Sequence, residues 1–403
     1  MTNPSPIGYL VPEFPSQTHA FFWRELTAIE AAGVGVHIFS TRRPKRGSCP
    51  HAFAETAISR TTYLFPPNWG RVLVFLARKP VAVGKALKYI GGLKETPPHR
   101  RAMLTALIGS AAELVIACRA AGIEHVHIHS CANAAHLGAL ANILGGLRYS
   151  LTLHGDLQVY GSDHHAKMAN ASFVSSVTVP LQTTLKEKVN PDGHYPVIWM
   201  GVDTGRFVPN TTKRRSLQDG RFTAVSVARL NFTKGHHFFL QAMAKLRDEG
   251  LHIHYLIAGE GSQREVIEAE IVRLGLTEHV EMLGSVGEDQ VLELLQSADM
   301  LALTSVFHGE AAPVAVMEAM SCALPPVCSI IGGTADMIED GVDGYLVPQE
   351  DVSAIADATR KLVLDPVLRD AMGARARQTA LRLFDHNTNA MALYNEIVAA
   401  GSR

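Results

Sequence analysis

Residues 305–348 read SVFHGEAAPVAVMEAMSCALPPVCSIIGGTADMIEDGVDGYLVP, and the rest of the chain is read outward from them. Glu310 and Glu318 have seven residues between them, across a turn that contains Pro313. Proline lacks an N–H and has a φ suited to the first helical turn, so Pro313 predicts a helix start. Val314, Ala315, Val316, Met317, Ala319 and Met320 supply an apolar helix, which Glu318 interrupts on a face otherwise due for burial. An unpaired charge there is costly. Glu318 is therefore either a core carboxylate satisfied by protein donors or an acceptor for a ligand's donors. Glu310 precedes the helix, so its carboxylate faces the same crevice as the first helical N–H groups, which suit a phosphate.

After the helix come a short apolar run over 326–329, the Gly332-Gly333 turn and a second helix start. Then follow Asp340, Gly341, Gly344, Tyr345, Leu346, Val347 and Pro348. This ordered set resembles the signature of glycosyltransferase family 4, retaining enzymes of the GT-B fold that use nucleotide sugars, and within it the exopolysaccharide and colanic-acid-biosynthesis type. Four positions depart from the family pattern. Pro313 replaces a common glycine and gives no N–H, Ala323 stands for glycine before Leu-Pro, Pro326 stands for valine, and Asp336 stands for glutamate. None of them removes a charged residue.

The resemblance implies an α/β chain with two Rossmann-like doubly wound domains facing across a cleft and a C-terminal helix crossing back. The implied boundaries are 1–205 with 386–403 for an acceptor domain, and 206–385 for a donor domain. Composition agrees with two globular domains: 403 residues, net charge −1 and ordinary apolar content. The balanced charge gives no footprint for nucleic acid. Five cysteines without a Cys-x-x-Cys pair argue against a disulfide framework and for a reducing cytoplasm. The start of the sequence lacks a basic segment leading into an apolar core, and no window of about 18 uninterrupted apolar residues occurs.

In the first half, strands are predicted over 7–11, 34–40, 126–129, 149–153, 173–177 and 197–200, alternating with helices, as in a parallel sheet. Ligands bind such sheets at the carboxyl ends of strands. The loop 12–19, with Ser16, Thr18 and His19, is thus an acceptor-side candidate; it is similar to a Tyr-Pro-x-Phe-Ser-x-Thr-Phe motif of the polysaccharide-building subgroup. A helix cap by Ser16 or Thr18 is equally compatible. His154 and Asp156 follow the strand 149–153. The resemblance implies that His154 lies near the donor sugar and serves transfer. His127 and His129 share one strand face but lack a third ligand at matching spacing, so a structural or acceptor-side role is favoured over a metal. Between 69 and 101, eight Lys and Arg residues interleave with apolar ones, and Glu95 is the single acid. Such a stretch suits an anionic membrane surface, or a helical hairpin packed on the first domain with solvated cations.

The segment WMGVDTGRFVP (199–209) resembles the family's hinge, with Met200 where asparagine is usual. Beyond it the alternation restarts. Arg229 and Lys234 share the loop between the strand 222–227 and the helix from His236, which makes an anion clamp. Gly259-Glu260-Gly261 follows the next strand. It is no dinucleotide fingerprint, because Arg264 occupies the third glycine's place.

The resemblance makes Gly259 and Gly261 a loop beside the nucleotide, and puts Ser285 and Val286 against the base. It implies that Arg229 and Lys234 hold the donor diphosphate, with help from the Val314 N–H. Glu318 receives the ribose hydroxyls, and Glu310 positions the donor sugar. No metal and no cofactor is expected. The expected donor is a UDP- or GDP-sugar, and the expected acceptor is a saccharide, with a lipid-linked one at the cytoplasmic membrane face preferred to a soluble natural product. A non-catalytic scaffold, or an enzyme that hydrolyses or epimerises nucleotide sugars, are the other classes.

Overall fold

The computed structural model describes residues 5–16, 19–45, 47, 49, 51–210, 220–307 and 311–401. The chain forms two units, Met1–Trp199 with Asn387–Arg403, and Met200–His386. In the first, six parallel strands run in the order β3-β2-β1-β4-β5-β6. They are β1 (Ile7–Glu13), β2 (Val36–Arg42), β3 (Thr61–Tyr63), β4 (His125–Ile128), β5 (Arg148–Leu153) and β6 (Val174–Ser176). Alternation along β1 sends Leu10 to one core and Ile7, Tyr9 and Val11 to another, as the two-residue strand period requires. The second core is closed by Ala390, Leu393 and Ile397 of the helix His386–Gly401.

Two sequence expectations are corrected. The strand over 197–200 is a single bridge, Val197 to Ser176, because β6 is an edge of three residues and offers no longer partner. Conversely, the helix Ala54–Arg60 and edge strand β3 follow β2, where no element was expected.

The basic stretch is helical, over Trp69–Ala77 and Pro80–Gly91. Val72, Ala86, Ile90 and Leu93 are buried in the core, so the hairpin packs on its unit. Three of the eight cations are used internally: Arg71 pairs with Glu113, Lys79 Nζ donates to Leu144 O at 2.8 Å, and Arg101 Nε donates to Thr96 O at 2.7 Å. Arg78, Lys85, Lys88, Lys94 and Arg100 remain exposed, as do the apolar Leu73 (59% exposed) and Val81 (73%) of the same stretch. The next helical run, Pro98–Ala120, is long and apolar enough to cross a membrane by composition, but 56% of its most apolar window is buried inside the unit. Its residues Ile108, Ala111, Ala112, Leu114, Val115 and Cys118 are core.

The second unit repeats the pattern with β7 (Phe222–Val227), β8 (Ile253–Ala258), β9 (Val280–Gly284), β10 (Met300–Leu303), β11 (Pro326–Ser329) and β12 (Tyr345–Val347). The parallel order is β12-β11-β10-β7-β8-β9. The chain builds outward from β7 to β9, then crosses to β10 on the other side. Neighbouring β7 and β10 therefore flank a topological switch point, where loops diverge and open a crevice at the carboxyl edge.

Candidate active site

In the second unit, the loop leaving β7 is pinned on both sides. Ala228 N–H donates to Ala258 O at 3.0 Å and Leu230 N–H to Glu260 O at 2.9 Å. This backbone contact explains both glycines of the Gly-x-Gly, since a Cβ at Gly259 would overlap Ala228 O and one at Gly261 would overlap Leu230 O. On the other side Gly235 has φ +62° and packs on Thr304 O, Thr304 Oγ1 donates to Gly235 O at 2.9 Å, and Val306 N–H donates to Thr233 O at 2.8 Å. Arg229 and Lys234 thus hang from a loop fixed to the exits of β8 and β10.

The Arg229 side chain is exposed, and it has no hydrogen-bond or ion-pair partner among the described residues. Other arginines of this unit are spent on the fold; Arg264, for example, bonds Glu260 at 2.6 Å and Glu268 at 2.9 Å. Ser285 and Val286 leave β9 beside this edge, where Gly259 N–H donates to Gly284 O at 2.7 Å. The structure thus brings Arg229, Lys234, Gly259, Gly261, Ser285 and Val286 to one edge of one sheet.

The helix after β10 is Val314–Ser321, with Pro313 at its N-cap rather than in its first turn. Pro313 O takes the N–H groups of Val316 and Met317, so Val314 is the first helical residue and its N–H lacks an intrahelical acceptor. Glu318 is 7% exposed, confirming that the helix buries the carboxylate's face. Glu310 lies outside the described residues.

The carboxyl edge of the first unit is rich in histidine. His125, His127 and His129 lie on one face of β4 and its exit, opposite Ser150, Thr152 and His154 of β5 and its exit. His125 Nε2 and His127 Nδ1 each lie 2.8 Å from Ser150 Oγ, and His127 Nε2 lies 2.7 Å from Thr152 Oγ1. These contacts make His127 a satisfied structural histidine. Burial lowers His125 to about 4 and holds His127 and His154 well below the ordinary imidazole value.

His154 packs against Phe21 and Phe22, each ring centroid 5.2 Å away, and its backbone N–H donates to Tyr160 Oη at 2.9 Å. His19 occupies the N-cap of the helix Ala20–Ala31 without a side-chain cap bond. Stacked on Phe14, it is lowered to about 4, chiefly by burial. Ser16 contributes its carbonyl to His19 N–H at 3.0 Å, and Thr18 lies outside the described residues. Asp156 is exposed at the start of the short 3-10 turn Leu157–Tyr160. Among the described residues, no group of three or more His, Cys, Asp or Glu side chains is arranged to hold a metal.

Two residues at this edge escaped sequence reading, the fully buried Tyr9 and the half-buried Glu25. Glu25 Oε1 accepts from Tyr9 Oη at 2.7 Å and lies 3.1 Å from His129 Nε2. The signal for Glu25 was present: it stands on the apolar face formed by Phe21, Phe22, Leu26 and Ile29, as Glu318 stands on its own.

Residues 209–379 match the family model of glycosyl transferases, group 1. The chain is 25% identical over 371 residues, 87% of its length and 88% of the relative's, to an Escherichia coli (strain K12) protein named as a colanic acid biosynthesis glycosyltransferase, WcaL. It is 26% identical over 275 residues, 65% of its length and 71% of the relative's, to N-acetyl-alpha-D-glucosaminyl L-malate synthase of Bacillus anthracis. In fold it is similar to the crystal structure of Anabaena HepE in complex with UDP-glucose, with TM-score 0.72, 18% identity, and 98% and 99% of the two chains covered. By the match of its second unit and by its two parallel sheets, the chain resembles the group 1 glycosyl transferases of GT4 type and has the two-domain GT-B fold.

Proposed function

We propose that this glycosyltransferase moves a sugar, with retention of configuration, from a nucleoside diphosphate sugar to a saccharide hydroxyl in polysaccharide assembly. The observation that carries this reading is Arg229: an exposed guanidinium without a partner among the described residues, on a pinned loop at the switch point of the second sheet. Such a preorganised cation has a diphosphate as its natural counterpart. A scaffold homologue would have no need to keep it. Anabaena HepE has been crystallised in complex with UDP-glucose and with UDP, which supports a uridine or similar nucleotide here.

In the proposed reaction the bond from sugar C1 to the diphosphate oxygen breaks, and its electron pair stays on the diphosphate. The acceptor hydroxyl attacks C1 on the same face and gives its proton to the departing phosphate oxygen. Arg229 and Lys234 neutralise the charge that grows on the leaving group, the largest catalytic contribution identified. Glu318 holds the ribose hydroxyls, the Val314 N–H assists at the phosphate, and Gly259, Gly261, Ser285 and Val286 border the nucleotide. His154 and Glu310 address hydroxyls of the transferred sugar, and Ser16, Thr18, His19 and Asp156 lie on the acceptor side. The two cations replace a metal, and no cofactor is required. The test is incubation with UDP- and GDP-sugars and an oligosaccharide acceptor panel. The expected product is an α-linked saccharide from an α-linked donor; inversion, or sugar release that ignores the acceptor, would contradict the reading.

The preferred acceptor is lipid-linked, at the cytoplasmic face of a membrane. The five exposed cations of the stretch 69–101, together with exposed Leu73 and Val81, support this, since each Lys or Arg near an anionic surface contributes about 1 kcal/mol. The chain should float with phosphatidylglycerol vesicles at low salt and be released at high salt, where the charges are screened. Absence of flotation at low salt would remove the membrane surface. It would favour a soluble acceptor, the second reading, which the likeness to the malate glycoside synthase also supports.

A further inference from the structure

We infer that Glu25 and His129 are positioning residues that fix the tautomer of His154, leaving its Nδ1 as a hydrogen-bond acceptor for a hydroxyl of the transferred sugar. The inference rests on the reading of His154 as a sugar-facing residue and adds the device that sets its polarity. It follows from a chain of four side chains. Tyr9 Oη lies 2.7 Å from Glu25 Oε1, Glu25 Oε1 lies 3.1 Å from His129 Nε2, and His129 Nδ1 lies 3.2 Å from His154 Nε2. His154 Nδ1 is buried and has no hydrogen-bond partner among the described residues.

Each link restricts the next. Tyr9 is fully buried beside the carboxylate, which holds its phenol well above the ordinary value; it stays protonated and donates. A carboxylate only accepts. The His129 side chain is wholly buried, and its Nε2 faces Glu25 at ion-pair distance rather than in a linear hydrogen bond. A lone pair directed at a carboxylate 3.1 Å away would be repelled. Nε2 therefore carries a proton, and in the singly protonated ring Nδ1 is left as an acceptor. Its neighbour at 3.2 Å, His154 Nε2, must then be the donor. Burial and the neighbouring His129 and His19 keep His154 neutral, so its one proton is spent on His129 and Nδ1 holds a lone pair.

An orphaned buried acceptor has an energetic cost that a ligand hydroxyl would relieve. Phe21 and Phe22 fix the ring plane, so only the proton's position remained to be set. The second nitrogen's partner commonly decides which imidazole nitrogen is protonated.

The experiment is long-range 1H–15N correlation on the full chain labelled with 15N-histidine, at pH 8 and without substrate, with the His154 signals assigned by their loss in His154→Gln. The expected spectrum has His154 protonated at Nε2 and bare at Nδ1. Protonation at Nδ1 overturns the inference. In Glu25→Gln the amide offers His129 both a donor and an acceptor, so the Nε2–H form of His154 should lose its exclusive population, and Glu25→Asp should restore it. An unchanged tautomer in folded Glu25→Gln also overturns the inference. The wild-type spectrum needs no variant to fold and no activity to be present, so it separates this inference from the proposed reaction. In turnover, Glu25→Gln should lower kcat about tenfold with little change in KM for the donor, the size of one lost hydrogen bond. A rise in KM alone would assign Glu25 to binding and count against tautomer control.

Discussion

Replacing Arg229 with alanine should lower kcat about 10²- to 10³-fold, read as nucleoside diphosphate release, while leaving thermal stability almost unchanged. The magnitude is that of removing one preorganised donor from the site of developing charge, roughly 2.7–4 kcal/mol of transition-state stabilisation. Stability should move by no more than about 0.5 kcal/mol, because the side chain is exposed and has no protein partner among the described residues to lose. Wild-type turnover in the alanine variant would release the β7 loop from any role at the diphosphate. A large loss of stability would mean that Arg229 holds the loop instead of the substrate.

The second large effect is expected at Glu318. Alanine there should weaken nucleoside diphosphate binding by roughly 10- to 100-fold, since hydrogen bonds to a charged group contribute about 1.5–3 kcal/mol. Titration calorimetry measures it directly. Glu318 is nearly buried and has contacts within the protein, so the alanine variant should also lose stability. Glu318→Gln keeps the volume and most of the packing while removing the charge, and should retain the fold with an intermediate affinity. Unchanged affinity in both variants would return Glu318 to the role of a core carboxylate.

The parallel sheets were legible because strands buried on both faces read as short apolar runs between glycine-rich turns. β7 and β11 are found where those runs lie. The Arg229–Lys234 loop was legible because two cations in one strand-to-helix connection have few structural uses. The sequence did not disclose what pins that loop: the glycines at 259 and 261 answer a close backbone approach from residues 228–230, which is distant in sequence. Nor could it divide the basic stretch. Arg71 and Lys79 look like their neighbours until Glu113 and Leu144 O are seen beside them.

Edge elements were hardest to read. β3 and the bridge at Val197 are too short for periodicity to register. Glu25 carried the same signal as Glu318, a carboxylate on an apolar helical face. Only the fold, by bringing β4 and β5 beside that helix, shows the histidines it meets.

The proposed nucleoside diphosphate site of the second unit lies at the edge formed by the exits of β7 and β10. Titration of UDP and GDP into the wild-type chain, with Arg229→Ala and Glu318→Gln alongside, tests it most directly. Saturable binding of at least one nucleotide is expected, weakened in both variants. Absence of binding to either nucleotide, or binding that both variants leave untouched, would contradict it.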